Sequence, residues 1–177
     1  MITSAPATPE MTAAAEALAA TAPTHAHFQV YGNVATVVLS QDQTGGLLTV
    51  IEVRSPPGGG FPFLHHHPGA KTFVGLEGTY DIHGETEGEP VVLTVCTGTT
   101  VHVPSGALHA YANVSGTEGR MLTLIHGPNE VEAFVREQGT PVEETAPPPA
   151  RQTTPSLPQV RAQMEPYGMQ VVGRAEA

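Results

Sequence analysis

The sequence holds one cysteine, Cys96, no tryptophan and a single lysine, Lys71. One cysteine excludes a disulfide framework within the chain. With no base at a recognisable spacing, Cys96 reads as a buried apolar filler and not as a nucleophile. Long apolar runs are missing too: none approaches the roughly 20 residues that span a bilayer. The opening stretch MITSAPATPEMTAAAEALAATAP has no basic residue and no continuous apolar core. It does not read as a signal peptide, so a cytoplasmic location is expected. Basic residues are scarce, with seven against seventeen acids and a formal net charge of -10. A surface of that sign repels phosphate backbones and anionic membranes. Nucleic acid and membrane are therefore not expected partners, and a small-molecule substrate is. The 177 residues fit one domain with tails, a size that needs no disulfide or structural metal for its core.

What the chain does have is a series of short β-type runs. Residues 1–24 are rich in Ala, Thr and Pro and read as a loose N-terminal arm, with room for one short helix over 10–20. From Phe28 the texture changes. FQVYGNVATVVLS and LLTVIEV are β-branched and roughly alternating, and SPPGGGFPF reads as a loop. KTFVGL, TYDIH, VVLTVC, TVHVP, HAYANV and MLTLIH follow, separated by Gly- and Pro-bearing turns such as GETEGEP. Many short strands at close spacing indicate an all-β sandwich or barrel, placed at 25–127. Residues 128–177 read as a helical and proline-rich extension packed on it. NEVEAFVREQG sets Val131, Phe134 and Val135 at helical spacing, with Asn129 as N-cap and Gly139 as stop. SLPQVRAQMEPYG predicts a last short helix ended by Gly168.

Two frames carry the chemistry. Gly59, His65, His67, Lys71 and Gly78 stand as G-x5-H-x-H-x3-K-x6-G. Gly98, Pro104, Gly106, His109 and Asn113 stand as G-x5-P-x-G-x2-H-x3-N. Histidines at i and i+2 on a strand point to one face. Facing inward, His65 and His67 can bind one cation through neutral ring nitrogens, and His109, after the turn at Pro104–Gly106, can supply a third. His66 should point the other way. His83 and His102 read as ordinary barrel histidines, and His126 falls where it could line a pocket mouth. Tyr80, Tyr111, Phe63 and Phe73 read as core, and Glu77-Gly78 as a turn.

The two frames resemble the two signature motifs of the cupin superfamily, over roughly residues 28–127. That resemblance implies a double-stranded β-helix, or jelly-roll barrel, and one divalent transition metal (Fe, Ni, Mn or Zn) at His65, His67 and His109. GP at 127–128, the helix with Phe134 and GTPVEE at 139–144 look like the C-terminal extension of bacterial quercetinase-like monocupins. Such proteins include flavonol dioxygenases, and related monocupins act as cyclases on aromatic polyketides. The resemblance thus implies a metal-dependent enzyme acting on a small aromatic or polyketide-like enol or phenol. A non-catalytic or metal-free small-ligand binder is the alternative.

Lys71 departs from the pattern, since the family usually has glutamate at its position. Three readings are open. In one, the ion is held by three histidines alone, as in cysteine dioxygenase-like cupins. In another, Lys71 is a neutral base, with its pKa lowered by burial and a nearby cation. Or the site is free of metal and Lys71 binds an anionic substrate. A homodimer is also expected, because cupin-like barrels pair through sheet edges and exchange N-terminal segments, and MTAAAEALAATA is a candidate to pack on a partner.

Overall fold

The computed structural model describes residues 25–149 and 155–175. The arm expected at 1–24, its helix over 10–20 and the stretch MTAAAEALAATA lie outside the described residues. Among the described residues there are twelve strands. They are β1 (Ala26–Val30), β2 (Asn33–Leu39), β3 (Leu48–Ser55), β4 (Gly60–His66), β5 (Ala70–Glu77), β6 (Thr79–Thr86), β7 (Glu89–Cys96), β8 (Thr100–Val103), β9 (His109–Asn113), β10 (Gly119–His126), β11 (Thr140–Pro141) and β12 (Gln170–Arg174). Two α-helices follow the barrel strands, α1 (Val131–Gln138) and α2 (Leu157–Met164).

The strands form two sheets, ordered β11-β1-β2-β3-β10-β5-β8 and β12-β4-β9-β6-β7. Strand neighbours are antiparallel throughout. Alternation in sequence sets which face is covered. Along β3, Thr49, Ile51, Val53 and Ser55 are buried and the residues between them are not. Along β5 the buried set is Lys71, Phe73 and Gly75. The two inner faces meet in a core that includes Phe63, Phe73, Tyr80, Val95, Met121 and Ile125. Burying each such aromatic or aliphatic side chain is worth about 1.5–3 kcal/mol. None of the described helices is long and apolar enough to cross a membrane.

Several segments differ from their expected form. FQVYGNVATVVLS is a hairpin and not one run: Tyr31 and Gly32, both with positive φ, turn β1 back on β2. This is the primed turn that matches strand twist, and tyrosine is an uncommon residue for it. GETEGEP is mostly strand, because β6 and β7 run on to a tight turn at Glu87-Gly88. GFPF at 60–63, expected as loop, is the first half of β4. Pro62 is tolerated there because the β4–β9 ladder is broken between Phe61 and His65. Its carbonyl accepts from the Ala175 backbone N–H at 2.9 Å. Cys96 is exposed and not buried. It ends the edge strand β7, where Val95 takes the inward position.

The tail adds a strand with no counterpart among the expected elements. β12 pairs with β4, setting Val171 opposite His65. Arg161 of α2 fixes it by donating from Nε and Nη2 to the carbonyls of Val171 (2.8 Å) and Val172 (2.9 Å). Asn129 sits one residue before the N-cap of α1, yet its Oδ1 accepts from the Val131 N–H. Gly139 ends that helix and Gly168 the last turn after α2, as the sequence indicates.

Candidate metal centre

His65 lies on β4 and His67 one residue past its end, and His109 opens β9 directly opposite His65. The turn between the second motif's proline and glycine is tied to the first motif's strand. Gly106, at φ 76°, donates its N–H to the carbonyl of His67 at 3.1 Å. A residue with a Cβ would adopt that φ at a cost, so glycine suits the position. Asn113 has a structural part. Its Nδ2 donates to the carbonyls of Ser55, Pro56 and Thr117, and its backbone N–H to that of Gly59. The last residue of the second frame thus locks the first residue of the other.

The three imidazoles are buried and converge. One potential ligand atom from each lies within 4.8 Å of the other two. The His65 and His109 ring centroids are 4.2 Å apart. The outer ring nitrogens are all engaged by backbone: His65 Nδ1 with Phe63 O (2.9 Å), His67 Nδ1 with Pro68 O (2.6 Å) and His109 Nδ1 with Ala107 O (3.0 Å). A carbonyl can only accept, so each Nδ1 carries the hydrogen and each neutral ring keeps an Nε2 lone pair. Burial first, and then the Lys71 charge, hold His65 well below its ordinary pKa and His67 at about 3. Burial, followed by His65 and Lys71, does the same to His109. All three rings are therefore neutral near pH 7.

Lys71 points into this site. It is buried, and its Nζ donates to His109 Nε2 at 3.1 Å. Burial lowers its pKa to about 7. The ammonium and a cation would compete for one lone pair.

A cavity of about 80 Å³ opens beside these groups. That is well below the roughly 300–1,000 Å³ of pockets for drug-sized ligands. Its walls are apolar and aromatic: Phe61, Phe73 and Tyr111 from the barrel, Tyr31 from the hairpin, and Phe134, Val135, Met164 and Met169 from the C-terminal extension. Burial raises the Tyr111 phenol well above its usual pKa, so it stays protonated. Phe63 and Tyr80 are core, while Phe73 and Tyr111 also wall the cavity. His126 faces outward with His102, both bridged by Thr72 Oγ1 at 3.3 and 3.0 Å, so it does not line the mouth.

Residues 51–125 match the profile of the cupin domain family. No curated protein matches the chain in sequence. Among solved structures, a predicted oxalate decarboxylase from Thermotoga maritima is similar at 18% identity, covering 59% of this chain and 94% of that one, with a TM-score of 0.51. An RmlC-like cupin from Shewanella frigidimarina is similar at 14% identity, over 62% of this chain and 89% of that one, at 0.50. A recombinant oxalate oxidase in complex with glycolate shares 23% identity over 55% of this chain, at 0.48; the chain spans 52% of that protein's length. The fold is the cupin double-stranded β-helix.

The residues present fit the ion that cupin barrels imply. Three neutral imidazoles suit zinc and other first-row divalent ions. His67 Nε2 is buried and has no hydrogen-bond partner. A buried acceptor left bare costs about 1–3 kcal/mol, and a metal would engage it. The backbone carbonyls behind all three rings are the supports that orient ligating histidines.

The sequence frames lead to His65, His67, His109 and Lys71, which the structure brings together. They do not lead to Asn33, Thr123, Met164 or Met169, which line the cavity together with His65 and Lys71. The helical spacing of Phe134 and Val135 marks an apolar face, but spacing alone does not say that this face closes a cavity.

Proposed function

We propose that this cupin is a metal-dependent enzyme acting on a compact aromatic or polyketide-like enol or phenol, with Lys71 as the proton-transfer group. The grouping of His65, His67 and His109 with the Lys71 amine, beside an aromatic-walled cavity that His65 and Lys71 line, supports the reading. A bound divalent ion would polarise an enolic or phenolic oxygen as a Lewis acid. His65, His67 and His109 would hold it, and the carbonyls of Phe63, Pro68 and Ala107 keep those rings in the ligating tautomer. Phe61, Phe73 and Tyr111 provide flat walls for a ring, and the apolar cap excludes water. The neutral Lys71 amine takes the proton from the substrate O–H and holds it at Nζ. Enolate or phenolate formation is a first step shared by dioxygenation and by cyclisation.

The Nζ–His109 contact favours a second reading, a metal-free cupin that binds a small ligand without turnover. Elemental analysis of untagged protein, followed by turnover of a phenol and enol panel with and without chelator, separates the two. The enzyme reading expects about one ion per chain, activity lost on chelation, and a metal-replete Lys71→Met variant that folds but is inactive. A chain that takes up no divalent ion would sink it.

A further inference from the structure

Two residues that line the cavity carry polar atoms that the reading above does not use. Thr123 and Asn33 both line it, both are buried, and Thr123 Oγ1 and Asn33 Oδ1 have no hydrogen-bond partner. The amide orientation of Asn33 is fixed by its surroundings. Its Nδ2 donates to Gly60 O at 3.0 Å and Tyr31 O at 3.2 Å, which leaves Oδ1 as a bare acceptor. Thr123 sits on β10 opposite Phe73 of β5, one step along the inner face from the pair Ile125–Lys71. Such diagonal neighbours lie about 7–8 Å apart, a spacing that one substituted ring spans. Bare buried polar atoms are uncommon and each costs stability, so two among the residues lining one small cavity need a partner.

From this arrangement we infer that the ligand is a polyhydroxylated single ring. One oxygen lies at the histidine and Lys71 end, and a further hydroxyl donates to Thr123, with Asn33 Oδ1 as a second acceptor toward the Tyr31 side. Thr123 is then a specificity-determining residue. The inference rests on the proposed aromatic-ligand function and adds the hydroxylation pattern. The cavity's small volume agrees with one ring, whereas a flavonol would need the cap displaced.

The test compares ligands that differ only in the second donor. Resorcinol and hydroquinone are titrated calorimetrically into zinc-supplemented full-length protein beside 3-methoxyphenol and 4-methoxyphenol. The ethers keep the ring and the first hydroxyl but cannot donate the second bond. At least one diphenol should bind about tenfold more tightly than its ether, the scale of leaving a buried polar group unpaired. Thr123→Val, nearly equal in volume, should remove that preference without lowering the unfolding temperature. Thr123→Ser should restore it. A diphenol preference absent from the parent protein, or unchanged in Thr123→Val, overturns the inference while leaving an aromatic ligand in place. If none of the four phenols binds, the aromatic-ligand reading falls and the inference with it.

Discussion

The two ends of the cavity are made by different parts of the chain and differ in kind. At one end stand His65 of β4 and Lys71 of β5, with His109 of β9 and His67, just past the end of β4, beside them. All four fall within residues 51–125, the stretch that matches the cupin domain. At the other end stand Tyr31, Phe134, Val135, Met164 and Met169, all outside that stretch, and none is charged at pH 7. The first end rests on strand pairing and on carbonyls that fix three rings. The second rests on side-chain packing, with Tyr31 5.2 Å from Phe61 and 5.9 Å from Phe134 between ring centroids. The histidine and lysine cluster and the apolar wall can therefore change separately, one in the barrel motifs and the other outside them.

Single substitutions should separate the ends. The largest effect is expected from His109→Ala. Losing a ligand from a set of three should weaken metal binding by more than the roughly 10–100-fold that loss of an outer-shell partner costs. Competition against a chelator of known affinity measures this, with circular dichroism to check the fold. Unchanged affinity would mean that the ion sits elsewhere.

Phe134→Ala addresses the capped end. It removes a buried aromatic that packs on Tyr31 and Tyr167, and should destabilise the protein by about 3–5 kcal/mol in denaturant unfolding. Metal affinity of the folded variant should stay close to that of the parent. A large parallel fall in both would show that β12, which joins the tail to β4, couples the ends into one unit.

Lys71→Met sharpens the contrast at the histidine end through pH. In the metal-free protein the Lys71 pKa falls from its ordinary 10.5 to about 7. Between those values the unfolded chain binds a proton that the folded chain does not, so folding stability rises with pH across the window. The same sign holds for His67, lowered from 6.5 to about 3, across more acid pH. Lys71→Met should flatten the rise between about pH 7 and 10 and stabilise the chelated protein at neutral pH, since no charge is left to desolvate. It should also tighten metal binding by freeing His109 Nε2. Parallel stability curves for parent and variant would show that Lys71 reaches solvent.

The histidine end was legible in the sequence because its chemistry is written as spacing. An i, i+2 pair on a strand has one possible face, and the glycine and proline of the second frame mark the turn before His109. The orientation of Lys71 was not legible, since it depends on the register that sets it opposite Val103 and Ile125. The capped end was harder still. Met164, Met169 and Phe134 reach the cavity only through the tertiary placement of α1 and α2, and local periodicity reports a buried face without naming its neighbour. The strand β12 is short, and the Gly173 within it weakens its alternation, so its pairing with β4 had no local signature. The exposed Cys96 makes the same point, since an apolar strand does not announce that it lies at a sheet edge.

The smallest effect is expected at a second pair of histidines, which tests whether proximity alone makes a site. His102 and His126 lie on neighbouring sides of β5 with ring centroids 6.4 Å apart, close to the 5.8 Å between His65 and His67. Yet they are exposed, and Thr72 Oγ1 already contacts a nitrogen of each. Both side chains are exposed, so ordering them around an ion costs side-chain entropy, and no third histidine stands beside them among the described residues. The double variant His102→Ala/His126→Ala should therefore keep the parent's metal stoichiometry and affinity. It should also change stability by no more than about 0.5 kcal/mol, as surface substitutions usually do. Isothermal titration with zinc on parent and variant reads the first quantity and urea unfolding the second. If the variant loses an ion, a surface site operates on this sheet and the ion count of the parent must be divided between two places. If it does not, the distinction lies in burial and in the carbonyl-fixed tautomer, the two properties that His65, His67 and His109 share and this pair lacks.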